Sequence, residues 1–184
     1  MTSKQKEEKQ AQKNFNSAYI PTRSLTFFTV TAIMPIVFIL VLVLFVPIRN
    51  SFLATCSLLA AAVSLTGFCR LIYELVYDIV GFPEYKLPIW SAFYLILYIM
   101  SIFTFCIFSL HLYRPGINYS GISTKNTGSA LTESLYISLT NITTLSPDAS
   151  IRYHTPIARF INVTESISVI FIKLVIITKI VQSF

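Results

Sequence analysis

The chain has 184 residues, 54% of them hydrophobic and only 12% charged, with a mean hydropathy of +0.69. Soluble domains carry roughly 25% charged residues, so a soluble globular fold is excluded and little mass remains for a separate soluble domain. The net charge of +6 comes from Lys and Arg scattered over loops and helix ends, where such residues set membrane orientation and meet lipid head groups; no nucleic-acid partner is expected.

The apolar residues come in long uninterrupted runs, and runs near 20 residues read as membrane spans. An all-α membrane protein seated in the lipid bilayer follows. Cys56, Cys69 and Cys106 fall inside those runs with no paired spacing, so they read as buried small apolar residues, with no disulfide framework or metal site. The sequence has no Cys/His dyad, His cluster or Gly-rich phosphate loop, and its carboxylates are spread singly. No enzyme activity and no cofactor are expected.

In chain order, residues 1–23 are polar, with Lys4, Lys6, Glu7, Glu8, Lys9 and Lys13 among Gln and Asn, and form a solvated cytoplasmic tail. No small-residue cleavage site closes the apolar run that follows, so it is a retained span and not a signal peptide. Residues 24–88 hold two N-terminal transmembrane helices and a loop. The first covers 27–46, with a bend expected at Pro35. The second starts near Phe52, antiparallel to the first, and Leu58-Leu59-Ala60-Ala61-Ala62 supplies small residues for close helix packing. Arg70, Glu74 and Asp78, four residues apart, share one face at its end. They read as boundary charges, Arg70 pairing with Glu74 near the head groups, in preference to a charge-moving element.

Residues 81–88 are a Gly/Pro loop, and the third span covers 89–112. Trp90, Tyr94 and Tyr98 in its first half, and His111, Tyr113 and Arg114 at its far end, fit the interfacial aromatic belt. His111 and His154, without ligand partners at metal spacing, read as interfacial polar residues. Residues 115–129 are a polar linker. Lys4, Lys6, Lys9, Lys13, Arg23 and Lys86 fall on one side of the bilayer, and Arg49, Arg114, Lys125, Arg152 and Arg159 on the other. The positive tail favours a cytoplasmic N-terminus, and four crossings put the C-terminus there too, in the cell membrane. Of three Asn-x-Ser/Thr sequons, at Asn118, Asn141 and Asn162, only Asn118 is expected to be exposed.

The stretch that organises the rest is 130–181. A short apolar helix, 130–142, runs into Thr143-Thr144, and a filter-like loop over 143–150 follows. Thr155-Pro156 then opens an apolar helix over 157–181. Irregular backbone at membrane depth survives only where protein buries it or where it lines a water-filled cavity, so this order reads as a re-entrant pore segment. Ser138-Leu139-Thr140-Asn141-Ile142-Thr143-Thr144-Leu145, then Thr155-Pro156-Ile157-Ala158-Arg159, then Glu165, resembles the pore module of two-transmembrane potassium channels. There a pore helix ends in Thr-Thr-Val-Gly-Tyr-Gly-Asp, a Thr-Pro-x-x-Arg start opens the inner helix, and many bacterial members carry a Glu six residues after that Arg. The resemblance implies a pore module over 89–184, with outer helix 89–112, pore helix 130–142 and inner helix 157–181, in a four-fold assembly with the first two spans as additions.

The chain departs from that family at the filter. Alignment on Thr143-Thr144 puts Leu145 at the Val, Ser146 and Asp148 at the two glycines and Pro147 at the Tyr. The family's filter points backbone carbonyls at the axis through angles that ordinary L-residues avoid, and Pro147 has a fixed φ and no N–H. A potassium-selective carbonyl stack is not expected. Asp148 is either a ring of carboxylates at the outer mouth, favouring cations, or a turn residue after Pro147. The family's register puts Val169, Lys173 and Ile177 on the pore-lining face of the inner helix, with Arg159 and Glu165 in support. Lys173 then forms a ring that repels cations, or it snorkels or pairs with another helix. Glu165 cannot be its partner, since eight residues of helix rise about 12 Å. The leading expectation is a homotetrameric pore-loop channel that passes ions without potassium selectivity, with permeant ions in place of any cofactor. The alternatives are a non-conducting channel homologue with an interaction or regulatory role, and an anion pathway.

Overall fold

The structure, a computed structural model, describes residues 51–81, 89–124, 126–143 and 151–181, together with Ile33, Ile36, Val37, Leu40 and Val41. Its elements are α1 (Ser51–Gly81), α2 (Ile89–Tyr113), β1 (Tyr119–Ser120), α3 (Thr127–Thr143), β2 (Arg152–Tyr153) and α4 (Pro156–Val181). The chain is mostly helical, and three stretches, Ala54–Tyr73, Leu95–Tyr113 and Pro156–Thr178, are long and apolar enough to cross a membrane. It is an integral membrane protein of the all-α class. The five described residues of the first apolar run are helical; Ile36 is buried, and Ile33 and Leu40 pack on the core. Pro35 and the rest of 27–46 lie outside the described residues, as do the tail and the 82–88 loop.

The centre is α2. Every side chain from 102 to 112 is buried, as expected of a helix that is apolar all round. It touches α1, α3 and α4. On α1 the buried face is Ala54, Ser57, Ala61, Ser64, Phe68 and Leu71, a 3-4 spacing that starts with small residues and ends with large ones. The small residues let the backbones approach, so that Cys106 Sγ lies 4.0 Å from Ala61 O. Further along, Phe68 packs edge-on against Phe103 at 5.6 Å. Position 61 meets 106 and position 68 meets 103, so the two helices run in opposite directions. Phe52, Leu59, Val63 and Tyr73 point away from the core, where a bilayer would meet them.

Three expectations change. Tyr98 lies buried against Phe68 and does not serve in an interfacial belt, because α2 is enclosed; the side chains of Trp90 and Tyr94 lie outside the described residues. The expected polar linker, 115–129, holds β1 and the start of α3. Positive φ at Gly116 and Gly121 turns the chain so that β1 can pair antiparallel with β2, Tyr119 opposite Tyr153 and Ser120 opposite Arg152. Finally, α3 begins at Thr127, three residues before the expected 130. Asn126 caps it, its Oδ1 accepting from Gly128 N at 2.9 Å, which satisfies a donor that helix starts leave open.

Ala61→Leu is expected to force α1 and α2 apart and to lower stability in detergent by about 1–3 kcal/mol, the usual range for overpacking. Leu59→Ala, on the exposed face, is expected to stay within about 0.5 kcal/mol. Thermal unfolding of the two variants side by side checks both.

Candidate functional site

On α3, Ser134, Ser138 and Asn141 recur at i, i+4 and i+7 and so share one face. The two serines are fully buried, and their small size lets α3 lie close to α2: Ser138 Oγ is 3.3 Å from Met100 O. From α4, Asn162 and Glu165 meet the same face. Glu165 has no exposed surface. Ser138 Oγ donates to its Oε1, and Asn141 Nδ2 donates to its Oε2 at 2.7 Å. The second proton of that amide goes to Asn162 Oδ1 at 2.6 Å. Both oxygens of Glu165 thus accept from α3 side chains, which is what a carboxyl inside an apolar bundle needs.

A second tie holds the end of α3. Lys173 Nζ donates to Ile142 O at 2.7 Å, one of the last four carbonyls, which have no partner inside the helix. The helix dipole puts partial negative charge there, and an ammonium at that spot makes a charge-assisted bond. The stem of Lys173 borders a small apolar cavity of about 10 Å³, lined also by Ile96, Ile99, Ile142, Val169 and Ile172.

The base of the excursion is closed by a third set of bonds. Asn118 Nδ2 donates to Leu110 O at 2.9 Å, Thr155 Oγ1 donates to Asn118 Oδ1 at 2.9 Å, and His154 N donates to Asn118 O at 3.1 Å. Thr155 Oγ1 also accepts from Ala158 N at 3.3 Å and so caps α4, with Pro156 in the first helical position, where a missing N–H costs nothing. Asn118 is therefore 4% exposed, and the expectation that it is an accessible sequon is overturned: its amide is consumed in joining α2 to α4. His111 is likewise buried, with Nε2 3.0 Å from Ser123 O, and Ser123 N donates to Glu133 Oε2. Tyr119 and Tyr153 meet edge-on at 5.8 Å, and burial pushes both phenols above the ordinary tyrosine range.

The expected site residues are distributed as follows. Glu165 and Lys173 both face α3. Val169, between them on α4, is buried, and Ile177 is exposed. Arg159 is exposed, its Nε donating to Tyr153 O at 3.2 Å. Thr143 Oγ1 donates back to Leu139 O at 2.8 Å. Thr144, Leu145, Ser146, Pro147 and Asp148 lie outside the described residues, as do the side chains of Glu74 and Asp78. Among the described residues no three His, Cys, Asp or Glu side chains gather as a metal site would need. Compared with known protein families, curated proteins and solved structures, the chain matches none. The partners of Glu165 were the residues that sequence reasoning left out. A partial signal was available: Ser138-x-x-Asn141 and Asn162-x-x-Glu165 each place two polar groups on one helix face.

Glu165→Ala removes the shared acceptor of Ser138 and Asn141, and leaving such donors unpaired costs about 1–3 kcal/mol. Adding Ser138→Ala to that variant is expected to cost almost nothing more, while Ser138→Ala alone is clearly destabilising. A double-mutant cycle on thermal unfolding in one detergent measures this coupling.

Proposed function

We propose that the chain is the subunit of a tetrameric, four-span, pore-loop channel-like protein that passes ions passively without potassium selectivity. The observation that carries this reading is the pairing of β1 with β2 around α3. The chain leaves the Tyr119–Ser120 strand, forms the 17-residue α3, and is back beside its starting point at Arg152–Tyr153. A segment whose two ends lie side by side suits a re-entrant pore helix, and it is flanked by the span-length helices α2 and α4. The resemblance to two-transmembrane potassium channels, over the residues named for it above, supports the same order of outer helix, pore helix and inner helix. Assembly is supported by the outward face of α4. Phe160, Val163, Ile167, Ile170, Leu174 and Ile177 are all exposed and keep a 3-4 spacing suited to helix–helix contact. The first apolar run supplies the fourth span, and both termini are cytoplasmic in this arrangement, with the cell membrane as its place. The altered filter rests on Ser146, Pro147 and Asp148 standing where the family has Gly, Tyr and Gly.

A second reading, a non-conducting homologue with an interaction role, is favoured by one observation: Lys173 places a fixed positive charge at the end of α3. Purified protein in planar bilayers under asymmetric KCl, NaCl and CaCl2 separates the possibilities. The expected currents discriminate little between potassium and sodium. Reversal near the potassium potential would sink the altered filter, reversal near the chloride potential would make the pathway anionic, and persistent silence would favour the second reading.

A further inference from the structure

Tyr119 and Tyr153 stand opposite each other in the strand pair, their rings edge-on at 5.8 Å. Tyr119 has no exposed surface. Both hydroxyls are buried, and neither has a hydrogen-bond partner among the described residues. A phenol held in this way gives up its bonds to solvent and gains none from the chain, which folded proteins seldom tolerate. Both phenols interact electrostatically with the carboxyl of Glu165, so the strand pair brings two hydroxyls within its reach. A carboxylate offers about four lone-pair positions. Ser138 and Asn141 donate to its two oxygens, which leaves Glu165 able to accept more. Two hydroxyls and a carboxylate make about the three polar partners that one buried water needs. The carboxylate repels an anion, and among the described residues no three His, Cys, Asp or Glu side chains gather to hold a metal.

The titratable groups that interact with Glu165 are Cys106 on α2, Tyr119 on β1 and Tyr153 on β2. From α3 it meets Ser138 and Asn141, and no described cation is among these groups. Burial holds both phenols above the ordinary tyrosine range, so each keeps its proton near neutral pH and can pass one on while taking another. Arg152 and His154, which flank Tyr153, are exposed, and this end of the arrangement lies beside solvent.

We propose that Tyr119 and Tyr153 hold buried water between their hydroxyls and Glu165, and that this chain carries protons between the carboxylate and the surface beside β2. When Glu165 takes up a proton, an O–H bond of the adjoining water breaks and one forms on a carboxylate oxygen. That water takes a proton from a phenol, and the phenol takes one from the solvent side. Each group on the path ends with the protons it began with, and the proton gained by Glu165 comes from solvent. The path lies within one chain and needs neither an assembly nor a conducting filter, so failure of the channel reading leaves it standing.

The test uses the full chain in detergent micelles and infrared difference spectra between acidic and neutral solution. The carboxyl band lost in Glu165→Gln and displaced in Glu165→Asp belongs to Glu165, and its shift after transfer to D2O times the exchange of its proton. If no band answers to Glu165, the carboxylate takes up no proton and the path is overturned. Tyr119→Phe and Tyr153→Phe are each expected to slow the exchange by about tenfold or more, because a phenyl ring gives the water no partner. Tyr98→Phe, on a buried ring packed against Phe68, should leave it unchanged. The two slowed variants should also melt about 2–4 °C lower, as loss of a bridged hydroxyl requires. Unchanged exchange, or equal slowing by Tyr98→Phe, overturns the path. A midpoint that stays or rises in both variants overturns the water, since replacing an unbridged hydroxyl by an apolar group costs nothing. Where one variant does not fold, the other decides. If neither folds, the native protein decides: a Glu165 proton that exchanges without global unfolding supports the path, and one that leaves only with unfolding overturns it.

Discussion

A carboxyl with no exposed surface, Glu165, ties α3 to α4. Inside an apolar bundle an unpaired acceptor costs far more than a paired one gains, so α3 must sit where Ser138 and Asn141 can reach that carboxyl. This constraint fixes the depth and rotation of α3 against α4. The small residues on the same face then fix its distance from α2, since Ser134 and Ser138 leave room for backbone contact where a larger side chain would not. The strand pair at the base is two residues long and could not hold such an arrangement alone. Its part is to bring the chain back to where it left.

Glu165 and Lys173 carry opposite formal charges on one helix, yet they serve different parts of α3. The first meets side chains in its middle and the second meets its backbone end. Eight residues of rise separate them by about 12 Å, which keeps them from neutralising each other and leaves each free to bond α3. The consequence for α4 is a division of faces. One side faces α2 and α3 through Ala158, Glu165, Val169, Ile172 and Val175; the other is a row of large apolar side chains that no described residue covers. That row is where lipid or another copy of the helix would pack.

Much of the architecture was legible in the sequence. Long apolar runs with few charges dictate helices in a bilayer, because only hydrogen-bonded backbone survives there. Thr155-Pro156 marks the start of α4 because the hydroxyl can cap and the ring needs no donor. The buried seam of α1 was half legible: Ala60, Ala61 and Ala62 announce close packing, but which of them faces α2 depends on a rotation that composition does not specify. The start of α3 was misplaced because Asn126 and Gly128 look like loop residues until the helix that Asn126 caps is present.

The side-chain partners were much less legible, for a physical reason. A hydrogen bond between Asn141 and Glu165 joins positions 24 residues apart, and it exists only because two helices cross at one depth. Likewise Asn118 looks like an exposed sequon in a polar stretch, and becomes a buried joint only when Leu110 and Thr155 are brought to either side of it. By itself the sequence determined that the chain is a helical membrane protein, and it located the three described span-length helices to within a few residues. Tertiary structure alone decided that Glu165 is a clamp and that Lys173 faces the end of α3. Which way a buried polar group turns depends on the neighbour that can satisfy it, and neighbours are set by packing.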